Sequence, residues 1–398
     1  MKICFVHNFY QSSSPSGEDA VFQDEVGLLK KNGIHVITYE KNNDEIKDYG
    51  LRDKFFLSFK NIWSRETYKD LKTLIRREKP DIAHFHNIWY LISPSAYYAC
   101  RDAGVPVVQT LHNFRMFCVN GLLLRDGNVC EDCIGHLPWK GVKYGCYSNS
   151  RIYSLPIAIT ESIHNIAGSW KDKVDIYIAL TEFSKKKFIQ CGLPEEKIFV
   201  KPNFLLDPPE PSFNHRDYVI FLGRLSHEKG VSILVDATKV LNNLALPLKV
   251  KIVGDGPLRK ELEDTVRAKR INNIEFTGRK KFNECMELLR YSRFMIMPVI
   301  CYENFPMAIR EAFACGKPVV ASNLGATAEL VEDGKTGLLF EPGNSEDLAK
   351  KMKWMCEHEA SCIEMGKNAR KVFEEKYTAE RNFEILIDIY NKLIAHGS

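Results

Sequence analysis

Short apolar runs rich in β-branched residues alternate with helical stretches along almost the whole of this 398-residue chain. That pattern belongs to parallel sheets built from βαβ units. The first series reads KICFVH, a helix over AVFQDEVGLLKKNG, IHVITY, a helix ending near Lys79, DIAHFH, a helix over PSAYYACRDAG and VPVVQTLH. A second series follows the proline-rich LLDPPEPSFNHRD, Leu205 to Asp217, which reads as an interdomain linker. It runs YVIFLG, LKVKIVG, NIEFTG, FMIMPV and PVVAS with helices between them, then helices to the end. With 45% hydrophobic residues the chain is too long for one ordinary core. The expected fold class is α/β, with two Rossmann-like doubly wound domains facing a central cleft. The expected bounds are residues 1–206, with a cysteine-rich insertion at about 113–150, then 207–377, then a C-terminal helix over 378–398.

Composition excludes several classes. A net charge of +4 is too small for the overall field of a dedicated nucleic-acid binder, so no nucleic-acid partner is expected. The apolar run before His7 and Asn8 is too short for a signal peptide, and no window reaches a membrane span. A cytoplasmic protein is expected, with its twelve cysteines as thiols or metal ligands rather than disulfides.

Open parallel sheets bind ligands at the carboxyl ends of their strands. The candidate loops are therefore Ser16 to Asp19, His112 and its neighbours, Gly223 to Gly230, Gly254 to Pro257 and Cys301 to Pro306. FLGRLSHEKG sets Arg224 and Lys229 after a strand, and two fixed cations beside glycines suit a diphosphate. In ENFPMAIREAFACGKPVV, Pro306 suits the first helical position, and Asn304 and Phe305 would offer backbone amides to an anion. Glu303 stands before that helix and Glu311 about 8 Å along its axis, so one acid suits a sugar and the other the hydroxyls of a ribose. The plain alternatives are solvated cations on a turn and two surface glutamates.

At these residues the chain resembles a family. FLGRLSHEKG, IVGDGPLRKELE, IEFTG, ENFPMAIREAFACGKPVVAS and ELVEDGKTGLLF are similar to the C-terminal half of the family 4 retaining glycosyltransferases of GT-B fold. SGEDAVFQDEVGLLKKNGIHV, DIAHFHNIWYLISPSAYYACRDAGVPVVQTLHNFR and IFVKPNF carry the likeness through the N-terminal half. The resemblance implies that Gly17 belongs to the glycine loop near the donor phosphates and that Arg224 and Lys229 bind the diphosphate. It implies that Glu311 binds the ribose, that Glu303 lies near the donor sugar as the first acid of E-x7-E, and that His112 lies close to the reacting sugar. Gly254 and Gly278, closing IVG and IEFTG, join Asn304 and Phe305 among the nucleotide-binding candidates. Where the family has two consecutive glycines this chain has SGED. The family reaction keeps the anomeric configuration and typically needs no metal, and the last helix would pack back on the N-terminal domain. Cleft closure would accompany donor binding.

Two stretches stand apart. Cys118, Cys130, Cys133 and Cys146 form C-x11-C-x2-C-x12-C around an RDGN turn, which suits either a structural Zn²⁺ or free thiols. The insertion's Trp139, Lys140, Lys143, Tyr144 and Tyr147 suit a glycan or lipid-linked acceptor. KFFLSFKNIWSRETYKDLKTLIRREK, Lys54 to Lys79, interleaves cations with Phe55, Phe56, Phe59 and Trp63, as does a surface resting on anionic lipid at the inner face of a membrane. A core-facing amphipathic helix is the commoner alternative.

The expected activity is a metal-independent retaining hexosyl or hexosaminyl transfer from a UDP-sugar, with a GDP-sugar as second choice, to a glycan or lipid-linked acceptor in building cell-surface polysaccharide such as O-antigen or capsule. Its rivals are a GT-B sugar-nucleotide epimerase and a non-catalytic glycan- or nucleic-acid-binding protein with a zinc module.

Overall fold

The structure is a computed structural model describing residues 1–13, 16–48, 50 and 60–397. The chain divides into two compact units: Met1–Leu123, Cys130–Asn203 and Asn382–Ser398 form the first, and Leu124–Val129 with Phe204–Arg381 the second. The break falls at Asn203, a few residues ahead of the linker read from the prolines. A two-residue-per-strand hairpin, β5 (Leu124–Arg125) and β6 (Asn128–Val129), leaves the cysteine insertion to join the second unit.

The first unit holds β1 (Lys2–Phe9), β2 (His35–Asn42), β3 (Ile82–Phe85), β4 (Val107–Thr110), β7 (Ile176–Ala179) and β8 (Ile198–Val200) in the order β2-β1-β3-β4-β7-β8, all parallel. The inner strands β1, β3, β4 and β7 are buried on both faces, which is why they read as near-continuous apolar runs. Helix Gly17–Lys31 starts where Ser16 and Asp19 cap each other, and its last turn carries Lys30 and Lys31. Phe22, Val26 and Leu29 on that helix pack with Ile3, Phe5, Ile82 and Val108, and Leu386, Ile389 and Tyr390 of helix Ala379–Gly397 complete the same core. Each such side chain contributes about 1.5–3 kcal/mol by leaving water. Because the order reverses between β1 and β3, their carboxyl ends open a switch-point crevice.

The second unit orders β9 (Val219–Leu222), β10 (Val250–Val253), β11 (Ile274–Gly278), β12 (Met295–Met297), β13 (Val319–Ser322) and β14 (Gly337–Phe340) as β11-β10-β9-β12-β13-β14. Its switch point therefore lies between β9 and β12. Their core joins Val219, Phe221, Ile252, Phe294 and Ile296 to Leu234 and Val235 of the helix after β9.

Helix Arg65–Glu78 begins at the Ser64 cap, ends at Lys79 in the left-handed region, and buries Thr67, Leu71 and Ile75. Its apolar face is therefore spent in the protein interior, while Lys54, Phe55, Phe56 and Phe59 of the stretch read as a lipid surface lie outside the described residues. Among the described residues, no helix is long and apolar enough to cross a membrane.

Candidate active site

In the second unit the loops leaving β9 and β12 are held against each other. Gly230 sits at φ +65°, and a Cβ there would stand 1.8 Å from the Pro298 carbonyl oxygen, so only glycine permits this approach. The Ile300 amide donates to Glu228 O at 3.0 Å between the same loops. As a result Lys229 Nζ donates to Glu303 Oε1 at 2.5 Å. Burial works against the Lys229 charge, but the Glu303 carboxylate outweighs it and raises the lysine pKa. Arg224, in the same loop, is exposed and has no ion-pair partner among the described residues. Gly254 follows β10 at φ +143°, where a Cβ would stand 1.9 Å from Gly223 O, and its amide donates to Gly278 O at 3.0 Å. The hairpin's Gly127 comes near the Arg224 loop too: a Cβ on it would be 3.1 Å from His227 Nε2. Nothing in the residue pattern signals that approach, because the hairpin and the loop lie far apart along the chain.

Pro306 is the N-cap of helix Met307–Ala314, one position ahead of the first helical turn expected for it. The helix's first amides have no intrahelical partners by construction. Asn304 and Phe305 just before it are buried, and Phe305 meets Tyr377 edge-on at 5.6 Å. Glu311 faces Arg310, whose Nη2 lies 3.2 Å from its Oε1 while Nη1 donates to Phe204 O. Burial pushes the Glu311 pKa up, and Arg310 opposes the shift without cancelling it.

In the first unit Gly17 opens its helix behind the Ser16 cap, and Asp19 accepts from His7 Nε2 at 2.9 Å. Glu18, standing where the resembling family has a second glycine, receives Asn113 Nδ2 at 2.8 Å and Tyr10 Oη at 3.2 Å. Burial raises its pKa to about 7 against those two hydrogen bonds. His112 lines a small cavity with His86, Asn87, Trp89, Thr110 and Asn113. Its pKa is well below the usual value, chiefly through burial and then through His86 and His7. His86 Nδ1 lies 2.9 Å from His112 Nε2, and His84, wholly buried, bonds Tyr390 Oη and Thr110 Oγ1.

Glu25, His84 and His86 are, among the described residues, the three potential ligands whose donor atoms lie within 4.8 Å of one another. They do not fit a metal: both His84 nitrogens and His86 Nδ1 are engaged, and Lys201 Nζ lies 2.9 Å from Glu25 Oε1. The expected cysteine set is not gathered around one point either. Burial pushes the Cys133 thiol up, and Cys146 packs against the apolar cluster of Val119, Ile157 and Ala158. No three of the four thiols come within 4.8 Å of one another.

Two Rossmann-like units of this kind make up the GT-B fold of glycosyltransferases. Anabaena HepE, solved in complex with UDP, matches 98% of this chain and 100% of its own with a TM-score of 0.67 at 20% identity. Residues 206–372 match the family model for glycosyl transferases group 1, and residues 26–205 that for Glycosyltransferase Family 4. An uncharacterized glycosyltransferase of Methanocaldococcus jannaschii is 34% identical over 339 residues, 84% of this chain and 90% of the relative. The O-antigen chain mannosyltransferase C of Escherichia coli is 26% identical over 184 residues, 46% of this chain and 48% of the relative. The chain belongs to the family 4 glycosyltransferases.

Proposed function

We propose that this glycosyltransferase takes its sugar from a nucleoside diphosphate donor, without a metal, and transfers it with retention to a hydroxyl of a glycan or lipid-linked acceptor in cell-surface polysaccharide assembly. The observation that carries the reading is the Lys229–Glu303 pair, 2.5 Å long, joining the two loops at the switch point of the second unit. Lys229 and the exposed Arg224 are the cations that neutralise charge developing on the departing diphosphate, the part a divalent ion plays elsewhere. Glu311 accepts the ribose hydroxyls, and Glu303 orients Lys229 and accepts a sugar hydroxyl rather than attacking as a nucleophile. His112 contacts the sugar. The C1–O bond to the diphosphate breaks as the C1–O bond to the acceptor forms on the same face. The acceptor proton passes to a donor phosphate oxygen.

UDP is the favoured nucleotide, in keeping with the ligand of Anabaena HepE. The O-antigen mannosyltransferase among the relatives supports a surface-polysaccharide acceptor. A lipid-linked acceptor is supported by helix Arg151–Ile166, which packs Ile157 and Ala158 inward yet carries a second apolar stripe outward. It buries Ser154, Thr160, Glu161 and His164 and turns Ile152, Leu155, Ile163 and Ile166 to solvent on one face. Ile152 and Ile166 are 79% and 76% exposed, and exposed Lys143 and Arg151 meet at the helix start, where Arg151 Nε donates to Lys143 O at 3.0 Å. Apolar side chains edged by cations match an anionic bilayer surface.

The test is a thermal-shift series with UDP, GDP, ADP and dTDP, each with and without EDTA. A ligand bound by the folded state alone raises Tm. A rise with one diphosphate that survives EDTA is expected; no rise with any of them overturns the donor site.

A further inference from the structure

The buried polar cluster of the first unit has a direction. Glu25 is wholly buried, with Lys201 Nζ 2.9 Å from Oε1 and His86 Nε2 3.0 Å from Oε2. Neither contact has the angles of a straight hydrogen bond. Burial works against the Glu25 carboxylate, but Lys201 chiefly outweighs it and holds the group ionised. A fixed negative charge beside His86 Nε2 keeps the ring proton on that nitrogen. In a neutral ring His86 Nδ1 is then a lone pair, and His112 Nε2, 2.9 Å away, is the donor between them. That leaves His112 Nδ1 unprotonated, and it has no hydrogen-bond partner among the described residues. His112 is partly exposed and lines the cavity.

We propose that the Glu25–Lys201 pair sets the tautomer of His112 through His86, so that His112 offers its Nδ1 lone pair to a hydroxyl of the transferred sugar. The inference rests on the reading of His112 as the sugar contact. Glu25, Lys201 and His86 are positioning residues. Without the carboxylate, His86 is free to donate from Nδ1, His112 then accepts at Nε2, and its Nδ1 becomes a donor that no longer discriminates for the hydroxyl proton.

The tautomer is read directly from long-range ¹H–¹⁵N spectra of protein labelled at histidine nitrogens, without ligand, with His112 assigned by its loss in His112→Asn. The wild type is expected to carry the His112 proton on Nε2. A wild-type proton on Nδ1 overturns the proposal and needs no further variant. Glu25→Leu with Lys201→Met removes both buried charges together, which a folded core tolerates far better than either alone. In that variant the His112 signals are expected to shift towards the other tautomer and kcat to fall about 10-fold or more, with KM and diphosphate affinity unchanged. A folded double variant whose His112 tautomer stays as in the wild type also overturns it. Diphosphate affinity is measured separately, so failure of the donor reading and failure of the tautomer assignment are told apart.

Discussion

Lys229 and Glu303 come from loops that follow different strands, yet their side chains close to 2.5 Å because Gly230 lets one loop rest on the Pro298 carbonyl. The pair supplies a cation held in place before any anion arrives. That is the condition under which charge stabilisation costs least reorganisation.

Lys229→Met removes that cation, and kcat is expected to fall about 100–1,000-fold, the range for loss of one preorganised charge-stabilising group. Glu311→Gln should act on binding instead, raising KM for the donor roughly 10-fold while kcat changes little, as for a hydrogen bond to a charged acceptor made equally in ground and transition states. Steady-state kinetics on purified variants separates the two. Equal effects on kcat from both would contradict this division of labour between the lysine and the acid.

Gly230→Ala should loosen the site by a different route. A methyl at φ +65° facing a carbonyl oxygen 1.8 Å away cannot be accommodated in place, and the cost is about 3 kcal/mol. A lowered urea midpoint is expected, and any folded fraction should bind diphosphate more weakly. Gly334, also at positive φ but with open space around it, is the control: Gly334→Ala should bring the backbone strain without the clash and cost less.

Glu18 makes stability depend on pH. Its pKa is raised from 4.5 to about 7 in the folded protein. Across that window the folded state keeps a proton that the unfolded state releases, so the Glu18 contribution to stability falls as pH rises from about 4.5 to about 7. Glu18→Gln should flatten this part of the profile, read as urea midpoints at intervals across the range. An unchanged slope would show that the carboxyl ionises normally.

The outward apolar stripe of helix Arg151–Ile166 is tested by flotation with vesicles. Binding is expected to phosphatidylcholine mixed about equally with phosphatidylglycerol, to weaken with salt, and to be lost several-fold in Ile152→Ser with Ile166→Ser. Equal binding of wild type and variant would remove this helix from the membrane reading.

Much of the fold was legible because parallel strands buried on both faces announce themselves as uninterrupted apolar runs, and every run read in the sequence falls on a strand. The Arg224 to Gly230 loop and the Glu303 and Glu311 acids were legible from their place after strands. Glu25 and Lys201 were not: each looks like an ordinary surface charge in its own segment, and only the packing of helix Gly17–Lys31 near the end of β8 brings them together. The cysteine spacing leaves zinc and free thiols open, and only the structure shows Cys146 packed with Val142 and Tyr147 on Val119, Ile157 and Ala158. The outward stripe of helix Arg151–Ile166 could have been read from its isoleucines, but an apolar stripe ordinarily points inward.

Tyr390 Oη holds His84 Nδ1 at 2.6 Å, inside a sheet made of residues that left the ribosome long before it. All the residues of the second unit, through Arg381, precede Asn382, with which the last segment of the first unit begins. Chain synthesis therefore completes the units in the reverse of their order in sequence. The amino-terminal sheet must wait with an open face while its successor folds, and a truncation that removes only the final helix should damage the half of the molecule that was made first.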